Sequence, residues 1–401
     1  MDKKNKNPNV PNLRFSFEKN WCTSTIGENF KLSSGLTPST KEKVYFNNGI
    51  IPWINSGELK NKYISSTENR LTLNAVKKHN LTIYPKDTMV IAIYGLEAAG
   101  VRGKASITKM DSTISQSCMA LNSLGDVLTQ FMYYVYKKEA QILGTRYAQG
   151  TKQQNLSSDL ISSYKLHYPS KEEQLKIVDF LSLIDEKIET QIKIINDYKS
   201  LKKWINDKIY SDLKCEYLSF SSVYVIAKEG GTPSTTKPEY YSGNIPFIKI
   251  DDLNKKYITE NKVNISEQGL SNSSAWIIPK NSVIMSNGAT IGNVSINTYP
   301  VSTKQGILGI VPKDDVLTEY LYYLLNTTDF RRNLKQVTTK GTIDCAYIKD
   351  IDHIKVKIPE LEIQKSIIQI LKRIDKKIEL EVLILDFINK QKQYLLNNLF
   401  V

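Results

Sequence analysis

The fold of this chain is best predicted from one hexapeptide that occurs twice, as Ile184-Asp185-Glu186-Lys187-Ile188-Glu189 and as Ile374-Asp375-Lys376-Lys377-Ile378-Glu379. Each hexapeptide lies in a stretch without glycine or proline, from Lys171 to Tyr210 and from Ile363 to Leu399. Apolar residues recur in both stretches every three or four positions, with charged residues between them. Because a spacing near 3.5 is typical of coiled coils, the sequence predicts two long helices, each about 60 Å long.

The repetition extends outward from the hexapeptides over most of the chain. Short motifs in the first half return in the second half in the same order, at an offset that drifts only between about 195 and 189 residues. Clear examples are T-P-S-T at 37–40 and 232–235, G-x-I-P-aromatic-I at 49–54 and 243–248, and L-T-x-aromatic-x-Y-Y at 128–134 and 317–323. The chain is therefore predicted to be a tandem duplication of a unit of about 190 residues.

Each copy divides into a mixed domain and a helix. Residues 50–54 and 88–93 are predicted strands, and 128–139 and 317–326 are predicted helices. The predicted parts are a first domain at 1–167, a first spacer helix at 168–212, a second domain at 213–358 and a second spacer helix at 359–401.

The predicted fold class is α+β: two similar mixed α/β domains separated by a long antiparallel two-helix coiled coil with pseudo-two-fold symmetry. Each helix has an apolar seam that must be buried, and the simplest solution is that the two helices bury each other. The alternative is that each helix folds back onto its own domain.

Composition limits the class of protein. The chain has 54 Lys and Arg against 41 Asp and Glu, a formal net charge of +13, which favours an anionic partner such as nucleic acid. A basic composition arising by drift in an AT-rich coding sequence is the alternative. The longest strongly apolar stretch, Met89–Ile93, is far too short to span a membrane, and no signal peptide is readable. The four scattered cysteines predict buried thiols in a reducing cytoplasm.

Catalytic signatures are missing from the sequence. The segment Gly95–Gly100 lacks the Lys-Ser/Thr of a phosphate-binding loop, and the three histidines are isolated. The carboxylate pair Asp251-Asp252 keeps only Glu58 as its counterpart in the first half, which favours a solvated turn over a metal site. We therefore expect no catalytic residue, no bound metal and no cofactor in this chain.

Polar, basic and glycine-rich segments occur at equivalent places in both halves. Glycine allows close approach to a phosphate, Lys and Arg neutralise it, and Gln and Asn amides match adenine edges in the major groove. Taken singly, each segment could be an ordinary solvated turn. The residues predicted to contact DNA are Lys41, Lys43, Tyr94, Arg102, Lys104, Gln116, Arg146, Lys152 and Gln153 in the first half, and Lys237, Asn287, Thr290, Lys304, Gln305, Lys340 and Thr342 in the second.

The doubled, ordered set of motifs resembles the specificity (S) subunit of type I restriction–modification systems. It comprises T-P-S-T, G-x-I-P-aromatic-I, S-Q or K-Q-G (Ser115-Gln116 and Lys304-Gln305), P-x-x-E-x-Q and I-D-x-K-I-E on a long helix, with a copy in each half. This resemblance implies two target recognition domains, paired antiparallel helices and no catalysis by the chain itself.

The resemblance also implies partners. They are double-stranded DNA with a bipartite target, two methyltransferase (modification) subunits that bring S-adenosylmethionine, and restriction/translocase subunits that use ATP and Mg. The alternatives are a nucleic-acid-modifying enzyme in its own right, such as a nuclease or methyltransferase, and a coiled-coil scaffold whose charge is incidental.

Overall fold

The computed structural model describes residues 10–95, 101, 103–143, 145, 155–288, 290–339, 341 and 344–401. The chain forms two compact units. Unit 1 consists of Met1–Gln191 and Ile384–Val401, and unit 2 of Ile192–Leu383. Each unit therefore holds the mixed domain of one repeat together with a segment of both long helices.

Unit 1 contains a five-stranded sheet in the order β2-β9-β6-β7-β4, a three-stranded sheet β5-β3-β8 and a two-stranded sheet β1-β10. Its strands are β1 (Cys22–Thr25), β2 (Phe30–Ser34), β3 (Ile51–Ile54), β4 (Tyr63–Ile64), β5 (Asn69–Leu71), β6 (Met89–Ala92), β7 (Ala105–Thr108), β8 (Thr113–Ile114), β9 (Cys118–Ser123) and β10 (Lys165–Tyr168). Its helices are α1 (Ile26–Asn29), α2 (Leu73–Lys78), α3 (Thr129–Ile142), α4 (Ser158–Ser162) and the first part of α5 (Lys171–Asp212).

Unit 2 repeats this topology strand for strand, with sheets β12-β19-β16-β17-β14, β15-β13-β18 and β11-β20. Its strands are β11 (Tyr217–Ser219), β12 (Tyr224–Glu229), β13 (Ile245–Ile248), β14 (Tyr257–Ile258), β15 (Val263–Ile265), β16 (Val283–Ser286), β17 (Val294–Asn297), β18 (Ser302–Thr303), β19 (Ile307–Pro312) and β20 (Lys355–Lys357). Its helices are α6 (Glu267–Ser271), α7 (Thr318–Leu325), α8 (Thr328–Gln336), α9 (Ile348–Ile351) and most of α10 (Leu361–Leu399).

The central strands follow from their sequence. All four residues of β6 are buried, as are those of β16, because these strands lie in the middle of their sheets. Each begins after a Pro-Lys-Asp or Pro-Lys-Asn turn, in which Asp87 and Asn281 have φ values of 65° and 62°. Asp and Asn tolerate this left-handed conformation better than other side chains with a Cβ, which explains their place in the repeat.

Within each unit the two long-helix segments run antiparallel. In unit 1, Ile177 and Leu181 of α5 share a core with Leu395 and Leu399 of α10, and Asp185 pairs with Lys392 at 2.5 Å. Residue numbers thus fall along α10 as they rise along α5. The alternative that each helix folds back onto its own domain is therefore wrong, because α10 also completes unit 1.

Unit 2 shows the same antiparallel arrangement. Ile209 near the end of α5 shares a core with Ile367 and Leu371 near the start of α10. Lys202 pairs with Asp375, and each of these residues lies 190 positions from its counterpart in the Asp185–Lys392 pair. The repeated mixed domains and the α+β class are confirmed.

Aromatic side chains close the core of each unit. Phe400, which directly follows α10, lies 5.3 Å from Phe131 of α3 and 6.4 Å from Trp21, measured between ring centroids. In unit 2 the equivalent helix residue, Tyr210 of α5, is buried and accepts a hydrogen bond from the Lys357 backbone N–H at 3.1 Å. The end of one repeat's helix therefore contributes to the core of the other repeat's domain.

The cysteines partly depart from expectation. All four are free, but only Cys118 is buried; Cys22 is exposed on the narrow β1-β10 ribbon, and Cys215 and Cys345 are half-buried. The expectation of buried thiols is therefore wrong for Cys22. Among the helices that the structure describes, none is long and apolar enough to cross a membrane.

Candidate nucleic-acid interface

The T-P-S-T segment of unit 1 lies against the turn that joins β8 to β9. The Gly35 N–H donates to the Cys118 carbonyl at 3.1 Å, and the Leu36 N–H donates to the Ile114 carbonyl at 3.2 Å. The hydroxyl of Thr37, the first residue of the motif, then accepts the backbone N–H of Gln116 at 3.1 Å. Two motifs almost eighty residues apart in sequence are thus joined by a side-chain hydrogen bond.

Unit 2 makes the same contacts with its own residues. The Gly230 N–H donates to the Ile307 carbonyl at 2.9 Å, and the Gly231 N–H donates to the Thr303 carbonyl at 3.1 Å. The Thr232 hydroxyl accepts the backbone N–H of Gln305 at 3.3 Å. The β8–β9 turn (115–117) and the β18–β19 turn (304–306) are therefore structurally equivalent.

Glycine is required where the segment approaches the turn. A Cβ on Gly35 would lie 2.3 Å from the Ile114 carbonyl oxygen, and a Cβ on Gly230 would lie 2.1 Å from the Thr303 carbonyl oxygen. Both distances are far below van der Waals contact, so a larger residue would push the segment away from the turn. The glycine two residues before each T-P-S-T motif thus allows the segment to pack closely against the turn.

The backbone around each turn is tied down on several sides. In unit 1 the Ser115 N–H donates to the Ile54 carbonyl at 2.8 Å, and the Ser117 carbonyl accepts the Ile93 N–H at 3.0 Å. In unit 2 the Lys304 N–H donates to the Ile248 carbonyl at 3.0 Å. The side chains of Gln116 and Gln305 are exposed on these well-anchored turns.

Most of the predicted contact residues that the structure describes face solvent. Tyr94 lies two residues after the end of β6, and the Ile93–Ser117 hydrogen bond brings it next to the β8–β9 turn. Lys104 is half-buried and is joined to the end of β6 through its carbonyl, which accepts the Ala92 N–H at 3.0 Å. The exposed residues are Lys41, Lys43, Tyr94, Gln116, Lys237, Thr290, Lys304 and Gln305.

Lys43 and Lys237 each precede or open a short 3₁₀ turn, Lys43–Tyr45 and Pro238–Tyr241. Lys237 lies over the Tyr240 ring, and its Nζ donates to the Tyr240 hydroxyl at 3.1 Å. The remaining predicted residues lie outside the described residues: Arg102, Arg146, Lys152, Gln153, Lys340 and Thr342.

Asn287 requires a correction. Its side chain is only 1% exposed, and its Nδ2 donates to the Ala346 carbonyl at 3.1 Å, so it supports the loop from inside. The structure aligns Asn287 with Ile93, because both donate their N–H to the third residue of the adjoining turn. Gly288 therefore occupies the position of Tyr94, one residue away from the match that the sequence suggested.

Helix α8 adds a basic surface in unit 2 that the sequence analysis missed. Phe330 and Leu334 are buried, whereas Arg331, Arg332 and Lys335 are exposed. The apolar pair at i and i+4 with basic residues between them was the available signal. In unit 1 the corresponding region belongs to the single helix α3, which continues to Ile142.

A cluster of charged and hydroxyl side chains joins the domain of unit 1 to the helices. This junction cluster consists of Lys62, Tyr134, Asp185 and Lys392. The Tyr134 hydroxyl donates to Asp185 at 2.6 Å, and Lys62 Nζ donates to the Tyr134 hydroxyl at 2.9 Å. Burial lowers the pKa of Lys62 and raises that of Tyr134. Asp185, the aspartate of the I-D-x-K-I-E motif, thus binds both Tyr134 of the domain and Lys392 of α10.

The junction cluster of unit 2 consists of Lys256, Tyr323, Asp375 and Lys202. The Tyr323 hydroxyl donates to Asp375 at 2.6 Å, and Lys256 Nζ donates to the Tyr323 hydroxyl at 2.7 Å. Burial lowers the pKa of Lys256 as it does that of Lys62. The aspartate of the repeated hexapeptide therefore accepts a hydrogen bond from a tyrosine hydroxyl in both units.

A buried glutamine fixes the start of each long helix. The Gln174 amide is fully buried; its Oε1 accepts the Leu128 N–H at 2.9 Å, and its Nε2 donates to the Asp126 and Pro169 carbonyls at 3.0 Å each. Gln364 repeats these bonds at 2.8 Å with the N–H of Leu317 and the carbonyls of Asp315 and Pro359. The P-x-x-E-x-Q motif is explained by this link between helix and domain.

The described residues include no group of three or more His, Cys, Asp or Glu side chains placed to hold a metal ion. Of the Asp251-Asp252 pair, Asp252 accepts the Lys249 N–H at 2.8 Å and so stabilises its own turn.

Comparison with known proteins agrees with this doubled organisation. A model of the type I restriction modification DNA specificity domain matches residues 18–197 and again 216–390. The MjaIX specificity subunit of Methanocaldococcus jannaschii is 35% identical over 167 residues, which cover 41% of this chain and 37% of that protein. The MjaVIII specificity subunit of the same organism is 23% identical over 94% of this chain and 92% of its own length.

The matched region of the HindI specificity subunit of Haemophilus influenzae is also short, at 38% identity over 28% of this chain and 25% of that protein. The chain thus spans well under half of the MjaIX and HindI relatives.

Solved structures share the fold. The S subunit of a type I system from M. genitalium has a TM-score of 0.51 at 19% identity, over 98% of this chain and 99% of that one. A chain from a study of assembly and conformational transition in a type I restriction–modification system has a TM-score of 0.65 at 13% identity, over 96% and 99%. With both repeats matched by the family model, the chain belongs to the type I restriction–modification DNA specificity family.

Proposed function

We propose that this chain is the DNA-recognition subunit of a type I restriction–modification enzyme and that each mixed domain contacts one part of a bipartite target. The observation that carries this proposal is the same rigid frame occurring twice with different exposed side chains. Thr37 and Thr232 hold equivalent turns, but unit 2 exposes Lys304 at the position where unit 1 has the buried Ser115. A shared frame with differing side chains suits two half-sites of different sequence. The net charge of +13 suits a polyanion.

In this proposal the long helices set the separation of the half-sites and dock two methyltransferase subunits. Both helices carry exposed apolar side chains away from their buried seams: Leu183 and Trp204 of α5 are each 62% exposed, and Phe387 and Tyr394 of α10 are 69% and 59% exposed. Exposed aromatic residues of this kind are enriched at protein interfaces.

Catalysis belongs to the partner subunits in this proposal. The modification subunits bring S-adenosylmethionine, and the restriction/translocase subunits bring ATP and Mg. The complex acts on DNA in the cytoplasm. The alternative of a nuclease or methyltransferase in its own right gains no support from the relatives named above, which are specificity subunits.

Methylation mapping tests the proposal. The full chain is co-expressed with its cognate modification subunit, and methylated adenines are located by single-molecule sequencing. We expect a motif of two specified parts with a fixed gap between them. Replacing the first domain by that of another family member should change one part and leave the other part and the methyltransferase activity intact. A motif without two parts, or methylation by the purified chain alone, would contradict the proposal.

A further inference from the structure

Gln116 and Gln305 occupy equivalent positions in turns whose other residues differ. The β8–β9 turn is Ser115-Gln116-Ser117, and the β18–β19 turn is Lys304-Gln305-Gly306. The turns differ in local structure as well: Ser115 and Ser117 join their hydroxyls at 2.7 Å, whereas Gly306 has a φ of 85° and donates its N–H to Glu229 at 2.7 Å. The central residue is the one residue type common to both turns, and in both its N–H is bound by a threonine hydroxyl.

The backbone of each glutamine is held although its side chain is not. The Gln116 and Gln305 N–H groups are bound by Thr37 and Thr232, and the residue before each glutamine donates to a neighbouring strand. The glutamine side chains themselves are exposed. A side chain that starts from a fixed backbone loses less conformational freedom when it binds, so its contact is more specific.

The chemistry of the amide selects its target. A glutamine amide offers one donor and one acceptor side by side, which matches N6 and N7 of adenine in the major groove. A lysine has donors only, so it cannot make this paired contact with adenine; it binds guanine acceptors or phosphates, and the phosphate contact is independent of sequence. Lys304, which is exposed beside Gln305, is suited to that sequence-independent contact in unit 2.

We infer that Gln116 and Gln305 are specificity-determining residues that each contact an adenine edge in their own half-site, and that Thr37 and Thr232 are positioning residues for them. This inference rests on the proposed function. It predicts that both parts of the target contain an adenine recognised in the same way. The bases around that adenine differ because Tyr94 in unit 1 and Gly288 in unit 2 occupy the same position beside the turn.

The first test uses Gln116→Ala and Gln305→Ala in the full chain, each assembled with the modification subunits. Each variant should relax one adenine position in one part of the motif and leave the other part unchanged. The expected loss of discrimination at that position is about 5- to 150-fold. Gln268→Ala, which removes an exposed glutamine from α6 of unit 2, is the matched control and should leave the motif as it is.

The second test changes the DNA. Once the motif is known, 7-deaza-adenine at the assigned position removes the N7 acceptor without altering base pairing. It should weaken binding of the wild-type complex but not that of the Gln116→Ala complex, when measured by fluorescence anisotropy. Thr37→Val should weaken discrimination at the same position, and Thr37→Ser, which keeps the hydroxyl, should restore it.

The outcomes separate this inference from the proposed function. A bipartite motif in the wild type that neither glutamine variant alters would overturn the inference alone. An equal loss of affinity for all duplexes would also overturn it, because it would show a phosphate contact. A wild-type complex without a two-part motif would instead overturn the proposed function.

Discussion

The two junction clusters have the same centre and different surroundings. In unit 1, Asp185 is the carboxylate that receives Tyr134 and Lys392. In unit 2, Asp375 has the same role, but Glu319 lies beside it, 2.8 Å from Lys372 and 3.6 Å from Lys256. The comparison shows that the hydrogen bonds from lysine to tyrosine and from tyrosine to aspartate are the constant part of the junction. The charges around it vary as compensating pairs.

Two residues at the edge of the cluster differ between the units, and the two differences bring opposite charges. Glu319 corresponds to Gln130 of unit 1, and Lys372 corresponds to Ser182, which accepts Lys62 Nζ at 2.8 Å. Unit 2 has therefore gained one negative and one positive charge relative to unit 1. The two added charges form an ion pair with each other, so the balance of the cluster is preserved.

The largest effect is expected from removal of the central carboxylate. Asp185→Ala leaves Lys392 without its ion-pair partner and the Tyr134 hydroxyl without its acceptor in a largely buried site, and it should destabilise the protein by about 3–4 kcal/mol. Asp375→Ala should have a smaller effect because Glu319 still neutralises Lys256. Calorimetric melting of both variants measures the difference. Equal losses would show that Glu319 does not compensate.

The second largest effect is expected from removal of the buried glutamine that fixes the start of each long helix. Gln174→Ala and Gln364→Ala each remove a fully buried amide and leave one N–H and two carbonyls without their partner. Each substitution should cost about 2–3 kcal/mol. Urea unfolding, with exposed Gln393→Ala as the control, should give nearly equal losses for the two variants. A loss in one unit alone would mean that the helix starts are held differently.

The stability of unit 1 should depend on pH through a lysine that unit 2 lacks. Burial, with the nearby Lys392, lowers the pKa of Lys137 to about 8 from its usual 10.5, and Asn326 replaces it in unit 2. The unfolded chain therefore binds more protons than the folded chain between about pH 8 and 10.5. Through Lys137, stability should rise with pH across that window, by about 3 kcal/mol at most, and solvent screening of this half-buried ammonium reduces the rise. Lys137→Asn should reduce this rise in denaturation series from pH 7.5 to 10.5; an unchanged slope would exclude Lys137 as its source.

The smallest effect concerns the added ion pair. Glu319→Gln with Lys372→Ser converts the edge of the unit 2 cluster to that of unit 1. Each single change should cost about 0.5–1 kcal/mol because Lys372 is half exposed, and the double change should cost less than their sum. A double-mutant cycle measures the coupling. Strict additivity would show that the two residues do not interact.

Sequence patterns predicted those parts of the fold that depend on neighbours along the chain. The helical spacing gave both long helices, and the Pro-Lys-Asp and Pro-Lys-Asn turns were placed correctly because Asp87 and Asn281 adopt a conformation that few residues tolerate. The repeat itself indicated which residues would occupy equivalent positions.

The remaining features depend on residues that are distant in sequence. Lys62, Tyr134 and Asp185 meet only in the folded domain, so the role of the hexapeptide could not be derived from its letters. Asn287 was misplaced by one residue, because a polar, glycine-rich segment does not show which of its side chains points inward. Strand pairing supplies that information, since a shift of one residue reverses the side of every side chain.

The contact of Phe400 with Trp21 and Phe131 has a consequence for biosynthesis. A ribosome that adds about 5–20 residues per second takes about 12–47 seconds to travel from the end of the first domain to Phe400. Throughout that interval the aromatic surface around Trp21 has no cover from its own chain. We therefore expect the nascent chain to be prone to association through this surface until the last helix has been made.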